Sequence, residues 1–321
     1  MDDVARVVER YARFAAEEAP GRSDVYGAWA RAVASDPELA AVVARIPAPH
    51  RQPPLVFAVT RLLGARPGPA ADWASFVRTR ADEVVAECGR RSLQTNEPLR
   101  CAALLPALSR IEGPIALLEL GASAGLCLYP DRYAYRYETA AGPIECGDSP
   151  VVLEARLDGA PALRLPDVVW RAGIDLAPRD ARDASDRAWL TGLVWPGEQG
   201  RAARIAAALD IVADDPPLLI AGDAGDADLL AEVADGAPRD ATLVVSTPGV
   251  LPYLPRARRS ALIAAIRSLD ARWLTMDQPG LHDGWDRPID EDAWPGGFAV
   301  ALDGEVLAAA DPLGAWVSWR A

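Results

Sequence analysis

The 321-residue sequence contains no lysine: all 33 of its basic residues are arginine. A chain without a side-chain primary amine cannot form a pyridoxal-phosphate Schiff base, nor can it supply the lysine of a P-loop or of a kinase strand. Histidine is almost as scarce, with His50 and His282 the only two. That excludes a multi-histidine metal site; carboxylates could still hold magnesium, but no metal ligand set is expected. The four cysteines, Cys88, Cys101, Cys127 and Cys146, are irregularly and widely spaced. Without a C-x-x-C pair they suggest neither a zinc cage nor a disulfide framework, and they read as reduced, mostly buried thiols. Long apolar runs are missing too: the best stretch, 114–130, is interrupted by Glu119, so no membrane span of roughly 18 residues is expected. The opening Met1-Asp2-Asp3 and the alternating charges after it lack the basic start and apolar centre of a secretory signal, which makes the cytoplasm the expected location.

Positive charge is in deficit. The 46 acidic residues outnumber the 33 basic ones and leave a net charge of -13, a field that repels the phosphate backbone of nucleic acids. A small-molecule substrate is therefore expected rather than a nucleic acid. With 50% hydrophobic and 25% charged residues the chain has ordinary globular composition and enough length for one large domain or two modest ones.

Two regimes of apolar spacing divide the chain. Up to about residue 112 the spacing is helical, as in Val4, Val7, Val8, Tyr11 and Phe14. About five helices fit, and a further one is expected at Asn96-Glu97-Pro98, where Asn96 can cap free amides and Pro98 loses nothing by lacking its own. From 113 to 321 short apolar runs alternate with helical stretches, the signature of a parallel α/β domain. Five core strands are expected at 114–120, 168–176, 217–221, 242–246 and 272–276, with helices at 186–209, 228–233 and 255–269. A β insertion is expected at about 133–166, with a hairpin turning at Asp158-Gly159. The tail reads as a second hairpin about Asp303-Gly304, forming an antiparallel edge.

Chemistry concentrates at the end of the first strand. Leu117-Leu118-Glu119-Leu120 runs into Gly121-Ala122-Ser123-Ala124-Gly125, a small-residue turn whose backbone a ligand can approach closely. A helix is expected to follow directly. This stretch resembles the first motif of class I S-adenosylmethionine-dependent methyltransferases, with Ser123 at the central glycine position. The resemblance implies a Rossmann-like sheet and S-adenosylmethionine held by Glu119, Gly121, Ala122, Ser123 and Gly125. It further implies that Asp175, at the end of the second strand, accepts bonds from the ribose hydroxyls, with Glu138 as the competing candidate. In Gly222-Asp223-Ala224, after the third strand, Asp223 would meet the adenine amino group with Ala224 beside it. Thr247 and Tyr253, after the fourth strand, fall where such enzymes place groups facing the substrate. His282 is the candidate base for an acceptor that must lose a proton, because imidazole titrates near neutrality. The polar cluster Asn96, Glu97 and Arg100, just upstream of the first strand, is expected at the mouth of a substrate pocket.

A second resemblance covers nearly the whole chain. Gln94-Thr95-Asn96-Glu97, the run from Arg100 to Pro106, residues 121–126, Asp131-Arg132-Tyr133, residues 170–176 and Trp195-Pro196 are similar to a bacterial family known as domain of unknown function 2332. It implies a fold and no activity. Residues 121–125 also spell G-x-S-x-G, the nucleophile elbow of serine hydrolases, with Ser123 as nucleophile, Asp223 or Asp226 as acid and His282 as the sole later histidine. Against this stands position, since the hydrolase elbow follows several strands and this serine follows the first. A non-catalytic protein that keeps the methyltransferase fold is the remaining alternative.

Overall fold

The computed structural model describes residues 2–321. Seven α-helices precede the first strand: α1 (Asp3–Arg13), α2 (Asp24–Ser35), α3 (Pro37–Ala44), α4 (Pro53–Leu62), α5 (Ala70–Thr79), α6 (Ala81–Arg90) and α7 (Arg100–Leu108). The count exceeds the expected five and the further one, α7, because the chain re-enters helix at once after short breaks, as where Arg80 separates α5 from α6 with φ -116° and ψ 30°. Then come β1 (Pro114–Leu120), β2 (Ala134–Thr139), β3 (Gly142–Cys146), β4 (Val152–Asp158) and β5 (Asp167–Asp175). Helices α8 (Ala184–Gly192) and α9 (Arg201–Asp214) lead to β6 (Leu218–Ala221), α10 (Ala227–Asp235) and β7 (Thr242–Pro248). The chain closes with α11 (Arg256–Ser268), β8 (Arg272–Asp277), β9 (Phe298–Leu302), β10 (Glu305–Ala310) and β11 (Trp316–Trp319). One long helix expected at 186–209 is two, because Pro196 and Gly197 interrupt it in the turn between α8 and α9.

Two compact units result. The first comprises residues 1–95 and 183–206. Its core is aromatic: Trp29 and Trp73 stack at 5.0 Å, and Phe57 meets Tyr11, Phe14, Tyr26, Trp29 and Trp73 within 6 Å. Trp195 joins from the α8–α9 turn, packing on Phe14 and Tyr26. Arg61 on α4 donates through Nη1 to the carbonyls of Gly192 (3.0 Å) and Val194 (2.6 Å), satisfying the orphan acceptors at the end of α8.

The second unit, 96–182 and 207–321, is α/β with a mostly parallel sheet. All eleven strands form one sheet in the order β3-β2-β4-β11-β10-β9-β8-β7-β1-β5-β6. The five strands β8-β7-β1-β5-β6 are mutually parallel, and β9 is antiparallel to β8. The core on one flank joins Leu118, Leu120, Ala172, Ile174 and Val245 of the strands to Leu230 and Val233 of α10 and Leu262, Ile263 and Ile266 of α11.

Two β expectations are corrected. No hairpin turns at Asp158-Gly159: residues 162–165 are not a strand, and β4 already pairs with β2 on one side and β11 on the other. The insertion's hairpin is β2–β3, which turns about residues 140–141. The tail hairpin β9–β10 does turn at Asp303-Gly304, yet it is interior rather than an edge, because β8 flanks β9 and β11 connects β10 to β4. The β insertion and the parallel strands thereby become one sheet.

Candidate functional site

From β1 the chain crosses to β5 and then β6 on one side, and afterwards to β7 and β8 on the other. Strand order therefore reverses at β1, and crevices for ligands in open α/β sheets form at such reversals, outside the carboxyl ends of the strands. Residues 121–125 leave β1 at that point, beside Pro248, Gly249 and Val250 at the end of β7.

The loop is held by its neighbours. The Gly121 and Ala122 amides both donate to the Ile174 carbonyl (2.8 and 3.4 Å), and the Gly125 amide donates to the Ala122 carbonyl (2.6 Å). Asp175 Oδ2 accepts from the Ser123 amide at 2.8 Å and Oδ1 from the Ala177 amide at 2.8 Å. Asn96 donates through Nδ2 to Ser123 Oγ and accepts the Ala124 amide at Oδ1 (3.3 Å). Gly121 has φ +75°, and a Cβ there would lie 2.7 Å from Val250 Cγ2; at Gly173 on β5 a Cβ would lie 2.4 Å from that of Ala122. Glycine is required at both for the loop to lie flat on the sheet. Ser123, buried, occupies the left-handed region at φ +52°, an uncommon conformation for a residue with a Cβ.

The helix expected directly after this loop is absent; residues Leu126–Leu128 form a single 3-10 turn. Pro130 lacks the amide a helix would direct at the Leu126 carbonyl, and the Tyr133 hydroxyl donates to that carbonyl instead (2.7 Å). Tyr135 and Tyr137, on the same face of β2, donate to the carbonyls of Pro130 (2.5 Å) and Ala102 (2.8 Å).

Around the reversal lie Glu119, Asn96, Glu97 and Arg100. Asn96 does not cap α7, and no other side chain does; Glu97 accepts the Leu99 amide at Oε1 (3.0 Å) in the turn before the helix, and the Asn96 amide serves the loop. Arg100 donates through Nη1 to the Pro248 carbonyl and through Nε to the Pro312 carbonyl, each at 3.0 Å, so its guanidinium is fixed over Gly249. Glu119 is buried with Oε2 unpartnered. Burial pushes its carboxyl well above the ordinary glutamate value; Cys127 and Asp175 add to this and the Arg100 charge offsets part of it.

The other expected site residues have surroundings of their own. Asp223 accepts the Gly225 amide at Oδ1 (2.8 Å) and pairs with Arg258 at Oδ2 (2.9 Å), and these two contacts hold its carboxyl below the usual range. Ala224 is packed into the hydrophobic core. Tyr253 is 78% exposed. Glu138, on β2, forms an ion pair with Arg136 (3.0 Å).

Thr247 is fully buried, within a chain of polar groups on β7 and β8. Trp273 Nε1 donates to Thr247 Oγ1 (3.0 Å), Thr247 donates to Thr275 (3.0 Å), and Thr275 donates to Asp277 Oδ2. His282 Nε2 faces Asp277 Oδ2 at 3.8 Å, while His282 Nδ1 accepts the Gly284 amide (3.0 Å). The lone pair a general base needs is thus engaged, and a basic role requires His282 to leave Gly284. Asp277, buried beside His282, is a candidate that the sequence reading passed over. Its signal was present, since it ends the fifth parallel strand as Asp175 ends the second. Among the described residues no group of three His, Cys, Asp or Glu side chains is placed to hold a metal ion, and no helix is long and apolar enough to cross a membrane.

Residues 8–319 match the family described as an uncharacterized protein conserved in bacteria, DUF2332. The chain belongs to the DUF2332 family. No curated protein and no solved structure matches it. In this DUF2332 member, Asn96 and the loop after β1 meet at the strand reversal although 27 residues separate Asn96 from Ser123, and Arg100 joins them there through the Pro248 carbonyl.

Proposed function

We propose that this DUF2332 chain is a Rossmann-like, class I-type methyltransferase that binds S-adenosylmethionine at the strand reversal and acts on a small molecule. The observation that carries the reading is topological: the small-residue loop 121–125 leaves β1 at the point where the order β6-β5-β1-β7-β8 reverses. Acidic residues at the ends of β1 and β5, Glu119 and Asp175, fall in the order that such a sheet requires.

The fit of the cofactor is best at β1. Glu119 Oε2 is a buried acceptor without a partner, suited to an ammonium group, and the small loop residues admit close approach. Asp175 has spent one lone pair of each oxygen on an amide and retains others for ribose hydroxyls. At Asp223 the fit is poorer, since an adenine amino group would share acceptors with Gly225 and Arg258. When bound, S-adenosylmethionine supplies an activated methyl group for in-line displacement. The protein's task is then to align the acceptor and exclude water, which few titratable side chains suffice to do.

The hydrolase reading is weaker. The Ser123 hydroxyl faces the amide of Asn96, which has no basic lone pair to take its proton, and His282 is engaged with Gly284 and turned toward Asp277. The discriminating experiment is calorimetric titration of the full chain with S-adenosylmethionine and S-adenosylhomocysteine, with NAD as a control. Saturable binding of the first two, weakened at least about tenfold in Asp175→Ala (~1.4 kcal/mol), is expected. Folded wild-type protein that binds neither would overturn the proposal.

A further inference from the structure

Two of the four cysteines meet beneath the candidate site. Cys101 lies in the first turn of α7, one residue after Arg100, and Cys127 lies in the 3-10 turn two residues after Gly125. The Cys101 thiol reaches the Cys127 carbonyl at 3.8 Å, and the Cys127 thiol reaches the Glu97 carbonyl at 3.6 Å. Cys101 is buried and Cys127 is partly accessible. We propose that Cys101 and Cys127 are a peroxide-oxidisable pair, a modification site that closes reversibly into a disulfide beside the loop at 121–125.

The two thiols are inequivalent in the way that such a reaction needs. The adjacent Cys101 thiol, aided by the Arg100 charge, lowers the Cys127 thiol from its ordinary value, while burial raises Cys101. The thiolate is the nucleophile in thiol oxidation, so Cys127 attacks and Cys101 resolves. Burial pushes Cys88 up to about 12 and raises Cys146 as well, so neither competes.

In the first step Cys127 attacks one oxygen of hydrogen peroxide. The O–O bond breaks, Cys127 becomes a sulfenic acid, and the departing hydroxide takes up the thiol proton as water. In the second step the Cys101 sulfur attacks the Cys127 sulfur, the S–O bond breaks, and hydroxide leaves with the Cys101 proton as a second water. Two thiols lose two electrons in total and one peroxide becomes two waters. A dithiol reductant reverses the bond. The product ties the turn after the loop covalently to α7, where Asn96 otherwise holds the loop by hydrogen bonds alone. Cys127 gives up its hydrogen bond to Glu97 in exchange. The proposal is independent of which ligand the loop binds.

The test is peroxide treatment of the folded full chain, then alkylation and tryptic mapping. Cleavage at Arg100, Arg110 and Arg132 places Cys101 in the peptide 101–110 and Cys127 in 111–132. The expected result is a linked pair of these peptides, two hydrogens lighter than their sum and separated by dithiothreitol. In Cys101→Ser, Cys127 is expected to be trapped by dimedone as the sulfenic acid. The proposal is overturned if wild-type Cys101 and Cys127 are both alkylated after peroxide, if Cys127 stops at the sulfinic acid without a bridge, or if the bridge contains Cys88 or Cys146. Wild-type mapping decides by itself should the variant fold poorly.

Discussion

Asn96 grips two successive loop residues with one side chain, donating to Ser123 Oγ and accepting the Ala124 amide at 3.3 Å. Asn96, Ser123 and Ala124 are all buried. Asn96→Ala strands both groups where water does not reach them, and each buried unpaired group costs about 1–3 kcal/mol. A loss of roughly 2–6 kcal/mol in urea unfolding is expected from those two terms. A loss below about 0.5 kcal/mol, the ordinary surface value, would show that the grip contributes nothing.

Gly121 carries two separable constraints. Its φ of +75° disfavours any side chain, and a Cβ would meet Val250 Cγ2 at 2.7 Å. Gly121→Ala should lower stability by about 2–4 kcal/mol, the left-handed conformation accounting for roughly 1–2 of it. Adding Val250→Ala should relieve the clash and leave the conformational part, so the pair should couple by about 0.5–3 kcal/mol. Strict additivity in a double-mutant cycle would remove Val250 as the obstacle.

Glu119 predicts a pH dependence. Its folded-state pKa lies well above the ordinary 4.5, chiefly through burial. A raised pKa means the folded state holds its proton after the unfolded chain has released it, so this contribution to stability is complete below 4.5 and is lost as pH rises toward the folded value. Glu119→Gln cannot titrate. Melting temperatures across pH 4 to 8 should therefore show the wild type falling relative to Glu119→Gln as pH increases. Parallel curves would mean that Glu119 is not held protonated.

The Asp175 carboxylate joins the loop after β1 to the chain leaving β5 through the Ser123 and Ala177 amides. In Asp175→Ala both amides lose their acceptor, and hydrogen exchange at 123 and 177 should speed together. Asp175→Asn keeps one side-chain oxygen and should protect only one of the two. Unchanged exchange in Asp175→Ala would show that other groups hold the loop.

Much of the parallel sheet was legible because its strands read as short apolar runs, buried along most of their length in β1, β7 and β8. The run 114–120 coincides with β1, and the strands β5, β6, β7 and β8 fall within one or two residues of expectation. The turn Asp303-Gly304 was legible for a local reason too, since both residues adopt positive φ in a two-residue hairpin. Helix α7 was visible from Pro98, but the cap expected of Asn96 is not made, and no side chain caps the helix. Asn96 and Glu97 are both capable acceptors, and only the nearness of Ser123 and Ala124 decides that Asn96 turns away.

What the sequence determined by itself was chemical and local: the missing lysines, the strand runs, the small-residue loop and the acids at strand ends. Those follow from side-chain identity and from preferences acting over a few residues. Tertiary structure alone decided the pairing of β11 with β4, which merges the β insertion with the parallel strands into one sheet. In place of the expected helix after Gly125 stands one 3-10 turn: Pro130 withholds a helical amide, and the fold supplies the Tyr133 hydroxyl that bonds the Leu126 carbonyl instead. The contact between Cys101 and Cys127 belongs to the same class. Twenty-six residues separate the two cysteines, and no local preference encodes their meeting; it arises only when α7 packs beneath the loop that leaves β1.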